Sequence, residues 1–262
     1  MIHRMLNRRR SLGLFVVLVW GVTGTQAQDA PKAAFMSRYD FHISITKLAS
    51  TDRRFDWNGR IAGDLDLVDY VKGRTSLYAE YEVVMGNELR PFDPNQGNYT
   101  FDVSTSWRLR GVEVAGVFHH VSRHLSDRPK TAAIDINSVE AWALRRFTAG
   151  KTLVDVRGGA GKVIQRSFLD YTWRTHGKVT ALRPLNARIG LFGHAAVEGL
   201  GTDRAVAGRG VQTGGRIEAG LRLGGKEGAV ELFGGWEHVV DAYPLERFGG
   251  NWAVAGFRLT SQ

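Results

Sequence analysis

The feature that most constrains this chain is a two-residue period that returns along most of its length. In YTFDVSTSWRLR, Tyr99, Phe101, Val103, Thr105, Trp107 and Leu109 fall on one side, and Thr100, Asp102, Ser104, Ser106, Arg108 and Arg110 on the other. Successive strand side chains point to opposite faces, so this stretch reads as a strand with one apolar and one polar face. The same split recurs in RIAGDLDL, where Ile61, Leu65 and Leu67 oppose Arg60, Asp64 and Asp66. It recurs in SLYAEYEV, where Leu77, Tyr81 and Val83 oppose Glu80 and Glu82, and again in RIEAGLRL and AVELFGGWEHVV. With 32 glycines and 6 prolines, long helices are not expected.

The pattern predicts about twelve strands, near 38–49, 55–69, 74–85, 98–110, 112–124, 134–147, 151–164, 168–183, 186–199, 211–224, 227–241 and 251–260. Connections such as GG, NELRPFDPNQG and SDRPKTAA are short or rich in turn residues, which implies an antiparallel meander. Two architectures carry such strands. A soluble periplasmic β-protein turns the apolar face inward; an outer-membrane barrel turns it toward lipid and keeps the polar face in the lumen. The segments are long enough for a tilted bilayer crossing. Tyr99, Trp107 and Trp236 are placed as interfacial girdle residues. The expected fold is therefore all-β, an antiparallel up-and-down transmembrane β-barrel of about 12 strands in the cell outer membrane. Arg and Asp/Glu at similar density on the polar face would pair and fill a narrow lumen, which argues against a wide pore. The chain ends GFRLTSQ, without the terminal aromatic common in such barrels, so the soluble alternative stays open.

The first residues read as a targeting segment. MIHRMLNRRR is basic, SLGLFVVLVWGV is apolar, and Thr25 and Ala27 supply the small residues of a cleavage site. We expect 1–27 to be a cleaved Sec signal peptide and 28–262 the barrel. The net charge of +9 includes Arg4, Arg8, Arg9 and Arg10 of that leader, so the remainder is only mildly basic. No clustered basic stripe suggests a nucleic-acid partner. Cysteine is absent, which excludes disulfides and thiol chemistry.

GVFHHVSRHLSDRPK, residues 116–130, concentrates three of the eight histidines. On its strand Val112, Val114, Gly116, Phe118, His120, Ser122 and His124 share a face, whereas His119 points the other way. The face begins apolar, so His120 and Ser122 belong on the outer wall just above the lipid belt. This strand is the fifth, and with a periplasmic N-terminus its far end is extracellular. A serine becomes a nucleophile when a base takes its proton, and the base needs an orienting group. Asp135 or Asn137 on the next strand shares the outward face; Glu140 points inward with Trp142. Two other readings compete: a polar rim with no chemistry, and a metal site. His120 and His124 lie too far apart along a straight strand to share an ion readily. RGGAGK, residues 157–162, lacks the ending of a phosphate loop and reads as a strand turn or kink. Asp93 and Asn95 in PFDPNQGNY read as a solvated turn, with calcium binding as the lesser alternative.

The stretch HVSRHLSD…DIN resembles the active-site strand pair of the outer-membrane phospholipase A family, over about 20 residues. That family has twelve-stranded barrels with His-x-Ser on one strand and Asn on the next. The resemblance implies Ser122 as nucleophile, His120 as general base and Asn137 as orienter. It also implies a calcium site involving the loop residues Ser126 and Asp127, a homodimer, and hydrolysis of phospholipid acyl esters among outer-membrane lipids. The lipid A deacylases also use His-x-Ser, but with Glu and an eight-stranded barrel; the inward parity of Glu140 and the strand count argue against them. The cluster is also similar to uncharacterised outer-membrane barrels. A non-enzymatic barrel serving as scaffold, narrow pore or adhesin, with the His/Ser cluster as a polar rim, is the alternative function.

Overall fold

A computed structural model describes residues 32–125 and 133–261. The expected leader, residues 1–27, lies outside them. Twelve strands run β1 (Ala34–Leu48), β2 (Trp57–Asp69), β3 (Arg74–Gly86), β4 (Asp93–Leu109), β5 (Val112–Leu125) and β6 (Ile134–Ala149). They continue as β7 (Thr152–Ser167), β8 (Tyr171–Pro184), β9 (Ile189–Thr202), β10 (Gln212–Gly224), β11 (Gly228–Tyr243) and β12 (Phe248–Ser261). A one-turn helix α1 (Arg204–Ala207) is capped by Asp203. Each strand pairs antiparallel with its sequence neighbours, and β1 pairs with β12 from His42↔Thr260 to Leu48↔Val254, closing the barrel. At one end the strands are joined by turns as short as 110–111 and 150–151; the other end carries the longer connections 49–56 and 203–211. Outer-membrane barrels have short periplasmic turns and longer extracellular loops, which orients the molecule.

The apolar face is outside. Phe41, Ile61, Tyr99, Val139, Ile217 and Leu232 are all exposed on the outer wall, while Ser44, Thr46, Asp102, Glu140 and Glu218 are buried within. A soluble barrel would show the reverse, so the soluble alternative fails. The closed sheet satisfies its own backbone, as hydrocarbon requires, and the chain is an outer-membrane β-barrel. Trp107 stands near the periplasmic end of β4, where a girdle residue belongs, and Tyr99 lies further inside the strand, opposite Ser122. Trp236 sits mid-way along β11, inside the belt rather than at its edge.

Ion pairs thread the lumen. Arg216 donates to Glu218 at 2.5 Å and to Glu237 at 2.9 Å. Arg258 reaches Glu218 at 2.7 Å and Glu231 at 2.9 Å, and Arg222 reaches Glu231 at 2.7 Å. Arg60 donates to Glu82 at 2.6 Å. The expected pairing of opposed charges is what fills the barrel interior. Each pair offsets its own desolvation rather than adding much net stability, so the network mainly sets which side chains share the lumen.

Near the extracellular end the inward face becomes apolar. Leu48, Phe55, Val84, Leu125, Trp252 and Val254 form one cluster; Ile134, Ile136, Val163, Leu169, Tyr171 and Leu200 form a second, and Leu245 packs on both. Phe55 stacks on Trp252 at 5.2 Å between ring centroids. Two arginines tie this cap together. Arg123 donates to the carbonyls of Asp241 at 2.7 Å and Ala242 at 3.1 Å, and to Gln96 Oε1 at 2.9 Å. Arg209 bridges Asp170 at 2.8 Å and Asp241 at 2.7 Å.

Two local expectations are corrected. Asp93 and Asn95 are not in a solvated turn: they begin β4 and are buried, and Asn95 donates to the Arg54 carbonyl at 2.9 Å. The Asn95 amide nitrogen finds its partner in the cap, while its Oδ1 is buried without a hydrogen bond. RGGAGK is neither turn nor kink but the middle of β7. Side chains at Gly159 and Gly161 would overlap Trp142 and Glu140 of β6, so these glycines make room for lumenal side chains on the neighbouring strand.

Two outcomes follow from this packing. A Cβ at Gly220 would overlap the Leu232 carbonyl across the β10–β11 ladder. Gly220→Val is expected to destabilise the barrel by at least about 2 kcal/mol. A Cβ at Gly63 meets only ordinary contact with the Asp40 carbonyl, 3.8 Å away, so Gly63→Ala should be close to neutral. Thermal melts of refolded protein, read by heat-modified gel mobility, separate the two. The second outcome concerns acid. Burial pushes the Asp170 carboxyl up, but the Arg209 hydrogen bonds and charge prevail and hold it below the ordinary 3.8. The Arg54 hydrogen bond does the same for Asp52. Their stabilisation is full above about pH 4 and is lost as pH falls through the lowered values. Melts from about pH 6 to about pH 3 should therefore show a steeper acid loss in wild type than in Arg209→Gln.

Candidate functional site

The cluster on β5 lies where lipid-facing residues give way to polar ones. Val112, Val114, Gly116 and Phe118 precede His120, Ser122 and His124 on the outward face. The apolar part of this face spans about 20 Å of strand, at 3.3 Å per residue. His119 points into the lumen, where its Nδ1 lies 2.6 Å from Asp102 Oδ1 in a buried pair. The three histidines thus belong to two environments on opposite sides of one strand.

Strand register sets the partners. His120 is directly opposite Asn137, and Ser122 is opposite Asp135. His120 Nδ1 lies 2.6 Å from Asn137 Oδ1. An amide oxygen only accepts, so His120 Nδ1–H is the donor, and in the neutral ring Nε2 carries the lone pair. Asn137 Nδ2 donates in turn to Gln165 Oε1 on β7. That second bond fixes which way the Asn137 amide points, and through it the tautomer of His120.

Gln165 is the residue the sequence reading missed. A bulge between β6 and β7 shifts the register after Asn137, so that Asn137 pairs with Gln165 while Ser138 pairs with Val163. The extra residue, Ile164, returns Gln165 to the outward face. Two consecutive apolar residues in VIQRS break the alternation and are the signal that marks such a bulge.

Ser122 has a different partner from the one its spacing suggests. Its Oγ lies 2.9 Å from His124 Nε2, and no hydrogen bond joins it to His120. The His124 ring packs edge-on against Tyr99, with centroids 5.4 Å apart. Ser122 therefore stands between two histidines on one face. The histidine hydrogen-bonded to an orienting amide is not the one that now holds the serine.

The other expected positions sort by parity. Asp135 shares the outward face, and its Oδ1 is buried without a hydrogen-bond partner. Glu140 is buried in the lumen, accepting from Ser138 at 2.7 Å and from Trp142 at 2.7 Å, as its parity implies. Ser126 and Asp127 lie outside the described residues. Among the described residues, no three metal-ligating side chains converge.

No family model matches the sequence, and no curated protein matches it either. Solved structures do share its shape. Escherichia coli outer membrane phospholipase A matches with a TM-score of 0.53 and 13% identity, covering 87% of this chain and 98% of that one. An active-site mutant of the same protein matches with a TM-score of 0.52 and 14% identity, covering 90% and 95%. The fold is that of an outer-membrane phospholipase A-like barrel. Salmonella typhi outer membrane phospholipase, a dimer with bound calcium, matches with a TM-score of 0.51 and 14% identity, covering 86% and 90%.

The Asn137 bridge makes a specific prediction. Removing Gln165 frees the Asn137 amide to turn over, after which His120 Nδ1 faces a donor. Gln165→Ala should convert His120 from a single tautomer into a mixture, seen in the ring nitrogen shifts of labelled protein in micelles. A single unchanged tautomer would show that Gln165 has no part in orienting it.

Proposed function

We propose that this barrel hydrolyses acyl esters of outer-membrane lipids, as a phospholipase A1-like serine esterase at the outer-leaflet interface. The observation that carries the reading is the 2.6 Å His120–Asn137 bond, on the lipid-facing wall with Ser122 on the same face two residues away. His120 Nε2 is left as a base directed away from its orienter, the arrangement a serine nucleophile requires.

In this reading Ser122 Oγ leaves His124 by rotation about its Cα–Cβ bond and donates its proton to His120 Nε2. The oxygen attacks the ester carbonyl carbon, and the carbonyl π electrons move onto oxygen. Collapse of this tetrahedral species breaks the C–O bond to the glycerol oxygen, which takes the proton from His120. Water, deprotonated by the same His120, then cleaves the acyl-serine and releases the fatty acid. Asn137 keeps Nδ1 as the donor throughout and stabilises the imidazolium by the bond it already makes.

Calcium fits the site in one respect: the unpartnered Asp135 Oδ1 is a hard oxygen donor directly across from Ser122. Ser126 and Asp127 of the adjoining loop would hold the ion with it. When bound, calcium would supply positive charge to polarise the ester carbonyl. A homodimer is part of the same proposal, supported by the dimeric, calcium-bound state of the Salmonella typhi protein.

A second reading has its own support. The Ser122–His124 bond and the Tyr99 edge contact make a satisfied polar rim without chemistry. A non-enzymatic scaffold or adhesin would need no more than this. Phospholipid micelles offered to refolded protein decide between them. Fatty acid should be released with calcium and largely lost on chelation. Ser122→Ala should abolish release, and Asn137→Ala should lower kcat by about 10- to 10³-fold. Release that persists in Ser122→Ala would remove the assignment, and no release from wild type would favour the rim.

A further inference from the structure

The lumen contains a second polar centre, unrelated to the outer wall. Of the acidic side chains around it, Asp155 pairs with Arg146 at 3.0 Å and Glu140 with Arg174 at 3.1 Å, while Glu80 accepts from the Tyr78 hydroxyl at 2.7 Å and keeps its charge near Lys178. Beside them, two lumen-facing cations have neither an ion pair nor a hydrogen bond among the described residues. Arg157 and Lys178 are direct cross-strand partners on β7 and β8, and both face the lumen. No ion pair reaches either of them among the described residues. Like charges directly opposite on a sheet face are destabilising, so this pairing is unfavourable unless something negative lies between them.

Their surroundings are organised for that role. The Arg157 guanidinium lies over the Trp142 ring, 4.6 Å from its centroid, which fixes its plane. His176 packs edge-on to the same ring at 4.9 Å, and its Nε2 is buried without a partner. Arg157, His176 and Lys178 all line one cavity of about 320 Å³. Arg157 and Lys178 also line a second cavity, of about 680 Å³, that reaches Arg108 and Gly111 at the periplasmic turn. The apolar cap lies at the opposite end.

We propose that Arg157 and Lys178 form a lumenal binding site for a phosphoryl oxyanion that enters from the periplasmic end. Arg supplies a planar fork for two oxygens, Lys a point charge for a third, and His176 Nε2 a donor when it carries the proton. The ligand is inorganic phosphate or the phosphate group of a small solute. Neither the lipid belt nor the Ser122 site takes part, so this site and the hydrolase reading stand or fall separately.

Calorimetric titration of the full chain in uncharged micelles tests it, at fixed ionic strength in sodium chloride. Inorganic phosphate and glycerol 3-phosphate are the two probes. Wild type should bind at least one saturably. Arg157→Gln with Lys178→Met should weaken that binding at least tenfold, with heat-modified gel mobility showing the barrel intact. Each single variant gives the same test if the double variant does not fold. Arg222→Gln removes a lumenal arginine that is paired with Glu231, and should leave binding unchanged. Tighter binding of glycerol 3-phosphate identifies a phosphorylated solute; tighter binding of phosphate identifies the free ion. Absence of saturable binding to both probes, or binding undiminished in the double variant, would overturn the site.

Discussion

Everything in this molecule depends on the closing ladder between β1 and β12. An open sheet in hydrocarbon would leave a row of backbone groups without partners, each costing several kcal/mol. Pairing His42 through Leu48 with Thr260 through Val254 removes both edges at once. Once the sheet is closed, each side chain faces either lipid or lumen. The two-residue period then divides the chain's chemistry into two compartments that do not mix. Charges that would be prohibitive on the wall become paired filling inside, and residues that would form a core in water become the surface.

That division gives the outer polar cluster its meaning. A single-residue slip of β5 against β6 would bring His120 opposite a lumenal position and end its contact with Asn137. Register is held by the packed lumen behind it, where Ala115 and Val117 of β5 cluster with Trp142 of β6. Ser138 and Trp142 donate to Glu140, Arg174 pairs with Glu140, and Gly159 and Gly161 leave space for these side chains. The inward face of β6 therefore positions its outward face, and this lumenal packing keeps Asn137 opposite His120. The bulge at Ile164 adds a second local adjustment by turning Gln165 outward to complete the chain of amides.

Much of this was legible in the alternation. All twelve segments formed strands, because period two survives single exceptions over ten or more residues. The inward parity of His119 and Glu140 and the outward parity of His120, Ser122 and Asn137 follow from the same count. The misses share a cause: each depends on a contact between strands. Asp93 and Asn95 look like turn residues until the cap closes over them. RGGAGK looks like a break until Trp142 and Glu140 are placed beside it. Gln165 needs the bulge. The choice of Ser122 between His120 and His124 is set by side-chain rotation, which spacing along a strand cannot encode because both histidines are two residues away.

The cap and the lumen together bear on what kind of barrel this is. A diffusion pore needs an aqueous path through both ends and walls whose charges remain free to meet solute. Here the inward face turns apolar near the extracellular end, and most lumenal charges are committed to one another. Such an interior suits a rigid wall better than a conduit. Rigidity matters on the outside, where the Asn137 amide lies within hydrogen-bond distance of the His120 ring beside the surrounding lipid. A loop could not do this reliably, whereas two adjacent strands anchored by lumenal ion pairs can. The ion-paired lumen and the half-buried His120–Asn137 pair on the outer wall are thus two consequences of one arrangement. The paired charges inside tie neighbouring strands together, and the wall they brace carries the His120–Asn137 contact at the membrane interface.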